Sequence, residues 1–184
     1  MSDSKDQWAF SFIPEFADCI ARIASCWARL EYDMSAVIWD LAETRPAYGA
    51  CITSQIYTTQ GKLSAILALG KLRKVDGTLI GRLNKFAERV RAGQDIRNRT
   101  LHDQWLQDSL NASQMGHMRI TADKILRMVI ESVPLKELRD DLEKGEDLQV
   151  EFLNIRHDIE AALPTLPEIP PSELHPIVET PSPP

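Results

Sequence analysis

Apolar residues recur at steps of three and four through the first part of the chain. Phe16, Ile20, Ile23, Trp27, Leu30, Met34, Val37, Ile38 and Leu41 form one stripe, the pattern of a long bundle helix. Pro14 suits its first turn. Arg45-Pro46 should end it, because a residue ahead of proline is disfavoured in helix. A second helix is predicted from Thr53 or Ser54, both good N-caps, to about Lys74. It would bury Ile56, Leu63, Ile66, Leu67 and Leu72, with Gly61 and Gly70 as weak points. Asp76-Gly77 reads as a turn. A third helix then carries Leu79, Leu83, Phe86 and Val90 and continues through Arg97 to His102.

The pattern changes after Trp105. Residues 104–130 have a loop-like centre at Asn111 to Gly116, an alternating run Met118-Arg119-Ile120-Thr121, and branched residues from Lys124 to Ile130. This predicts a small β-hairpin or meander. Pro134 opens a last helix with Leu135, Leu138, Leu142, Leu148, Phe152, Ile155, Ile159 and Leu163 at helical spacing, and Gly145 as its weak point. Eight of the eleven prolines fall in residues 164–184, so an extended, disordered tail is expected there. The fold class is therefore mainly α: a four-to-five-helix bundle over residues 1–163 with a β excursion at about 104–130, followed by a Pro-rich tail. The first stripe is wide and holds Trp27, Trp39 and several alanines, which predicts a two-fold homodimer through a helix face.

Composition narrows the address. No apolar run approaches the ~18 residues that span a bilayer, and the start MSDSKDQWAF lacks the basic and apolar regions of a secretory signal. Cys19, Cys26 and Cys51 are odd in number and lack metal-site spacing. Cys19 and Cys26 lie about 10 Å apart on one helix, beyond disulfide reach. A reducing, cytoplasmic location with structural thiols is the expectation. The net charge is −6, but it is unevenly spread. Lys71 to Arg99 holds nine basic and three acidic residues, while Glu131 to Glu160 holds four basic and ten acidic. Such a split steers a polyanion or a second subunit to one face, or reflects two solvated helix faces.

One segment carries chemistry. Arg91, Asp95, Asn98 and His102 are spaced by four, three and four, which puts them on one helix face. Arg99 flanks that face, and Arg97 lies about 140° round the helix from His102. Guanidinium groups grip phosphate, and an imidazole exchanges protons near neutrality. The plain alternative is a structural network: Asp95 paired with Arg99, and Asn98 and His102 capping the helix or packing on Trp105. His117 in the presumed loop, His157 on the last helix and His175 in the tail have no metal-ligand spacing. No Gly-rich phosphate loop is present, and nothing in the residues calls for a metal or other cofactor.

Arg97-Asn98-Arg99-Thr100-Leu101-His102 resembles the signature of the HEPN superfamily (higher eukaryotes and prokaryotes nucleotide-binding domains): Arg, a polar residue, then His after a short spacer, late in a long helix of a bundle. The resemblance covers residues 14 to 163 in architecture and six residues in motif. It implies a homodimer whose two motif helices line one cleft, and a metal-independent endoribonuclease of the toxin or defence type. RNA or a nucleotide would be its ligand, and a cognate antitoxin or other protein its partner. His102 would move the proton and Arg97 would stabilise phosphate charge, supported by Asn98, Arg99 and Asp95. Inactive members imply a second reading, a non-catalytic binding module. A third is an interaction protein acting through its acidic last helix and Pro-rich tail. The chain departs from its bacterial look-alikes at Asp103, where glycine is common. An acid there is expected to favour imidazolium at His102 and to repel phosphate.

Overall fold

The computed structural model describes residues 8–9, 11–122 and 126–163. Its elements, in chain order, are β1 (Trp8–Ala9), α1 (Pro14–Leu41), α2 (Pro46–Thr53), α3 (Thr59–Leu72), α4 (Gly77–His102), β2 (Gln104–Asp108), β3 (Met115–Ala122), β4 (Leu126–Val133) and α5 (Leu135–Ala162). The chain is thus mainly helical with a small antiparallel sheet inserted before the last helix. The tail from residue 164 lies outside the described residues.

α1 is the central helix, and α2, α3, α4 and α5 all pack on it. Its stripe is buried, from Phe16 through Ile23, Trp27, Leu30, Met34 and Val37 to Leu41. Each such large apolar side chain contributes about 1.5–3 kcal/mol on burial. Two of the residues expected on a dimer face are therefore used within the chain. Trp27 lies in the core, and Trp39 packs against α2, donating its indole N–H to Thr53 Oγ1 at 3.1 Å. Arg22 meets Glu146 and Asp33 meets Arg156, so α1 and α5 run parallel. Arg82 with Asp158 and Arg89 with Glu151 show α4 and α5 antiparallel. The opposite charges of these two helices are thus partly paired with each other. Phe86 and Phe152 join the same two helices at their core.

Two helix boundaries differ from the sequence pattern. Pro46 not only stops α1 but also starts α2, since Arg45 is extended (φ −64°, ψ 145°) and proline takes the first helical position. α3 is capped by Thr58, whose hydroxyl accepts from the Gly61 N–H at 3.0 Å, rather than by Thr53 or Ser54. Thr53 is instead the last residue of α2, its hydroxyl bonded to the Gly49 carbonyl at 2.9 Å. Gly145 does not break α5. A Cβ there would lie at an ordinary contact distance, 3.6 Å, from Cys26 Sγ, so α5 packs on α1 here without needing a glycine.

The sheet has the order β1-β2-β3-β4. The pairing of β1 with β2 was not foreseen, because two residues carry no periodicity. Trp105 stands opposite His117, and His117 opposite Glu131. These three share one face of the sheet with Met115 and Arg119, because strand side chains alternate. Met115 and Trp105 belong to the main core, so this face is the one turned to the helices.

Candidate functional site

α4 ends where the motif ends. Asp103 is extended (φ −74°, ψ 149°), and the buried Trp105 donates its indole N–H to the Thr100 carbonyl at 2.9 Å. That bond satisfies one of the carbonyls that a helix C-terminus leaves open. It also fixes the turn from α4 into β2, and with it the position of His102 between them.

Asp95, Asn98, Arg99 and His102 line one open cleft of about 530 Å³ together with Asp103, Arg119 and Ile120. The first four come from α4, and Arg119 and Ile120 from β3. Arg99 donates through Nε to the Asp95 backbone carbonyl at 3.4 Å, so the Asp95–Arg99 link runs through the backbone and not through the carboxylate. Arg99, His102 and Arg119 make no ion pair with any carboxylate among the described residues. The cleft therefore offers two guanidinium groups and an imidazole to an incoming anion, beside the carboxylates of Asp95 and Asp103. Arg91 does not line it.

Arg97 points elsewhere. Its Nη2 lies 3.5 Å from Glu31 Oε1 on α1, and its Nη1 donates to Asn98 Oδ1 at 3.0 Å. Its Nε is buried without an acceptor among the described residues. The side chain borders a separate space of about 30 Å³ between α1, α4 and α5, beside Trp27, Ile96 and Gly145. Glu31 is itself well engaged, accepting from Thr59 Oγ1 at 2.9 Å. The five-residue step from Arg97 to His102 makes this divergence unavoidable on a regular helix. Asn98 is the link between the two sides, since it holds Arg97 and also lines the cleft.

Asp103 does not stand alone beside His102. Its Oδ2 lies 3.0 Å from His117 Nδ1, and His117 Nε2 lies 3.6 Å from Glu131 Oε2. His117 is buried on β3, its ring 5.7 Å from that of Trp105, and not in the hairpin loop where the sequence pattern put it. The carboxylate expected to repel phosphate is thus tied to a second histidine, though it still borders the cleft. The sequence assigns His117 no role at the site and does not mark Arg119. Alternation around Met118-Arg119-Ile120 marked a strand, but only the β2–β3 register shows which side faces α4.

Other features do less. A larger groove of about 710 Å³ between α1 and α5 is lined by Glu15, Asp18, Glu143 and Glu146 with Arg22 and Arg139, a balance that disfavours a polyanion. Cys19 and Cys26 are buried and Cys51 is exposed, and all three are free thiols. Burial first, and then Glu146, push the Cys26 thiol above its usual range, which holds it as an unreactive thiol. Among the described residues no group of three or more His, Cys, Asp or Glu is placed to hold a metal ion, and no helix is long and apolar enough to cross a membrane. Comparison of the chain with known protein families, with curated proteins and with solved structures finds no match to any of them.

Proposed function

We propose that the α4–β3 cleft binds the phosphodiester backbone of RNA, and that the chain is a HEPN-like, metal-independent endoribonuclease acting as a homodimer. The observation that carries this reading is the meeting of Arg99, Arg119 and His102 in one open cleft, with no carboxylate ion pair to any of them among the described residues. Arg99 and Arg119 grip the phosphate as a pair of planar donors. His102 acts as general base, taking the ribose 2′-OH proton as the 2′-oxygen attacks phosphorus. The bond from phosphorus to the 5′-oxygen breaks, water protonates the departing oxygen, and a 2′,3′-cyclic phosphate remains. Arg97, held between Glu31 and Asn98, is a positioning residue that orients Asn98 at the edge of the cleft. The role expected of Arg97 at the phosphate passes in this proposal to Arg99 and Arg119.

The engagement of Arg97 also favours a second reading, in which the same cleft binds RNA or a nucleotide without cutting it. One experiment separates the two. Structured and single-stranded RNAs are incubated with the protein in EDTA, and products are tested for cyclic phosphate ends. Cleavage by wild type that falls at least about 100-fold in His102→Ala supports the enzyme. RNA that is bound but left intact, with binding weakened in Arg119→Ala, supports the binding module. No binding to any RNA or nucleotide ends both readings.

A further inference from the structure

α4 and α5 each place a glycine beside Trp27 of α1. Gly93 and Gly145 lie inside helices of 26 and 28 residues, where glycine is the poorest helix former after proline. Helix packing requires neither of them. A Cβ on Gly93 would lie 3.5 Å from Trp27 Cζ2, and one on Gly145 would lie 4.0 Å from Trp27 Nε1, both ordinary contacts. Either Cβ would, however, lie against the indole and cover it. In their absence a space of about 30 Å³ is left beside Trp27, Arg97 and Asp141. Gly93, Ile96 and Leu148 line this space and also an outer groove of about 260 Å³ between α4 and α5, so the two are continuous. The polar groups of the inner space are only partly answered. Trp27 is 5% exposed, and its indole N–H opens onto this space with no hydrogen bond among the described residues, although a buried Trp N–H usually finds a partner. Asp141 accepts from Lys144 Nζ at 2.8 Å through Oδ1, while its Oδ2 makes no hydrogen bond among the described residues.

We infer that this groove binds a small, flat, uncharged ring that carries a carbonyl beside an N–H, that is, a cyclic amide. The ring lies in the outer groove against Ile96 and Leu148, and its polar edge enters the inner space. There the carbonyl accepts from the Trp27 indole N–H, and the ring N–H donates to Asp141 Oδ2. The Arg97 guanidinium, whose Nε is buried without an acceptor among the described residues, borders the same space and favours the negative end of the carbonyl dipole. Other chemistries fit less well. A hydrocarbon leaves the Trp27 N–H and the Asp141 oxygen desolvated and unanswered. A carboxylate or phosphate meets Asp141 inside and Asp147 at the mouth, and Asp147 makes no ion pair among the described residues. The cations at the rim do not offset this, because Arg89 is already paired with Glu151 and Lys144 with Asp141. The outer volume is just below the ~300 Å³ at which ligand sites commonly begin, which suits one or two fused rings. The groove shares no residue with the α4–β3 cleft, so the inference stands without the RNA reading.

The probe is 2-quinolone, a two-ring cyclic amide, titrated into the isotope-labelled full chain and read by NMR at the indole N–H signals of the four tryptophans. The Trp27 signal, assigned by its loss in Trp27→Phe, should move in a saturable, one-to-one manner. N-Methyl-2-quinolone keeps the carbonyl and lacks the N–H, and should bind about tenfold more weakly because Asp141 is then left unanswered. 2-Naphthoate, of the same size but anionic, should also bind about tenfold more weakly or worse. Gly93→Ala sets a methyl group against the indole and should weaken 2-quinolone about tenfold or more. The same variant should keep or raise the urea midpoint, since alanine is the better helix former, which separates a filled groove from a damaged fold. Failure of 2-quinolone to bind overturns the proposal, as does binding that leaves the Trp27 signal in place or is equally tight in Gly93→Ala. Equal binding of N-methyl-2-quinolone or of 2-naphthoate overturns the assignment of a cyclic amide.

Discussion

The last turns of α4 have two sides made of similar residues with opposite surroundings. On one side Arg97 is clamped by Glu31 and Asn98 and borders a space of about 30 Å³ among the helices. On the other, Arg99 and His102 face Arg119 across an open cleft of about 530 Å³. Arginine does different work in the two places. Where it is paired and half-buried, its charge is answered within the fold, and the group holds α4 to α1. Where it borders the open cleft and makes no carboxylate ion pair among the described residues, its charge is available to a ligand. A motif written as one string of residues is thus divided by helical geometry into a structural half and a ligand-facing half.

The sharpest way to break this division is to truncate one residue on each side. His102→Ala should lower RNA cleavage about 100-fold to 10,000-fold while leaving the urea midpoint unchanged, because His102 has no hydrogen-bond or ion-pair partner among the described residues. Arg97→Ala should do the reverse to stability. It removes the Glu31 and Asn98 contacts and should lower unfolding free energy by about 1–2 kcal/mol, measured by urea denaturation. The buried Arg97 Nε, without an acceptor among the described residues, keeps that loss at the lower end for a half-buried pair. Equal stability losses in the two variants would end the comparison.

The bundle was legible in the sequence because its signals are local and strong. The stripe from Phe16 to Leu41 has only one good solution, a long helix buried along one face. The face shared by Asp95, Asn98 and His102 followed from spacing alone, as did the divergence of Arg97. What escaped was information held in long-range contacts. Arg119 and His117 enter the picture through the β2–β3 register, and a shift of one residue would turn both to the other side of the sheet. Asp103 looked like a lone acid beside His102 because its partner lies 14 residues further on. α2 was missed because Pro46 carries two meanings, stop and start, and because eight residues with an exposed apolar face show no amphipathic period.

A binding measurement sharpens the ligand-facing side without needing catalysis. Arg119→Ala should weaken binding of a single-stranded RNA about tenfold, and should reduce the slope of log affinity against log salt by about 0.7, the value for one phosphate contact on a single strand. Fluorescence anisotropy with a 2′-O-methyl oligonucleotide, which the proposed reaction cannot cut, checks both. Arg97→Ala should leave the slope unchanged, since its guanidinium is already paired with Glu31. A loss of slope in Arg97→Ala equal to that in Arg119→Ala would mean that both sides of α4 reach the ligand.

The smallest expected effect tests the acids that remain in the cleft. Asp95 and Asp103 both border it, but their circumstances differ. Asp103 lies 3.0 Å from His117, whereas Asp95 meets Arg99 only through its backbone carbonyl. Neutralising Asp95 therefore removes a repulsive charge without freeing a partner, and Asp95→Asn should strengthen RNA binding about two- to threefold at low salt, an effect screened within about 10 Å at 0.1 M ionic strength. Asp103→Asn should not show a matching gain, because it also loosens the chain where α4 turns into β2 and disturbs the position of His102. Weaker binding in Asp95→Asn would assign that carboxylate to the ligand, as an acceptor for a ribose or base donor, and would place a polar contact on the face now read as an anion grip.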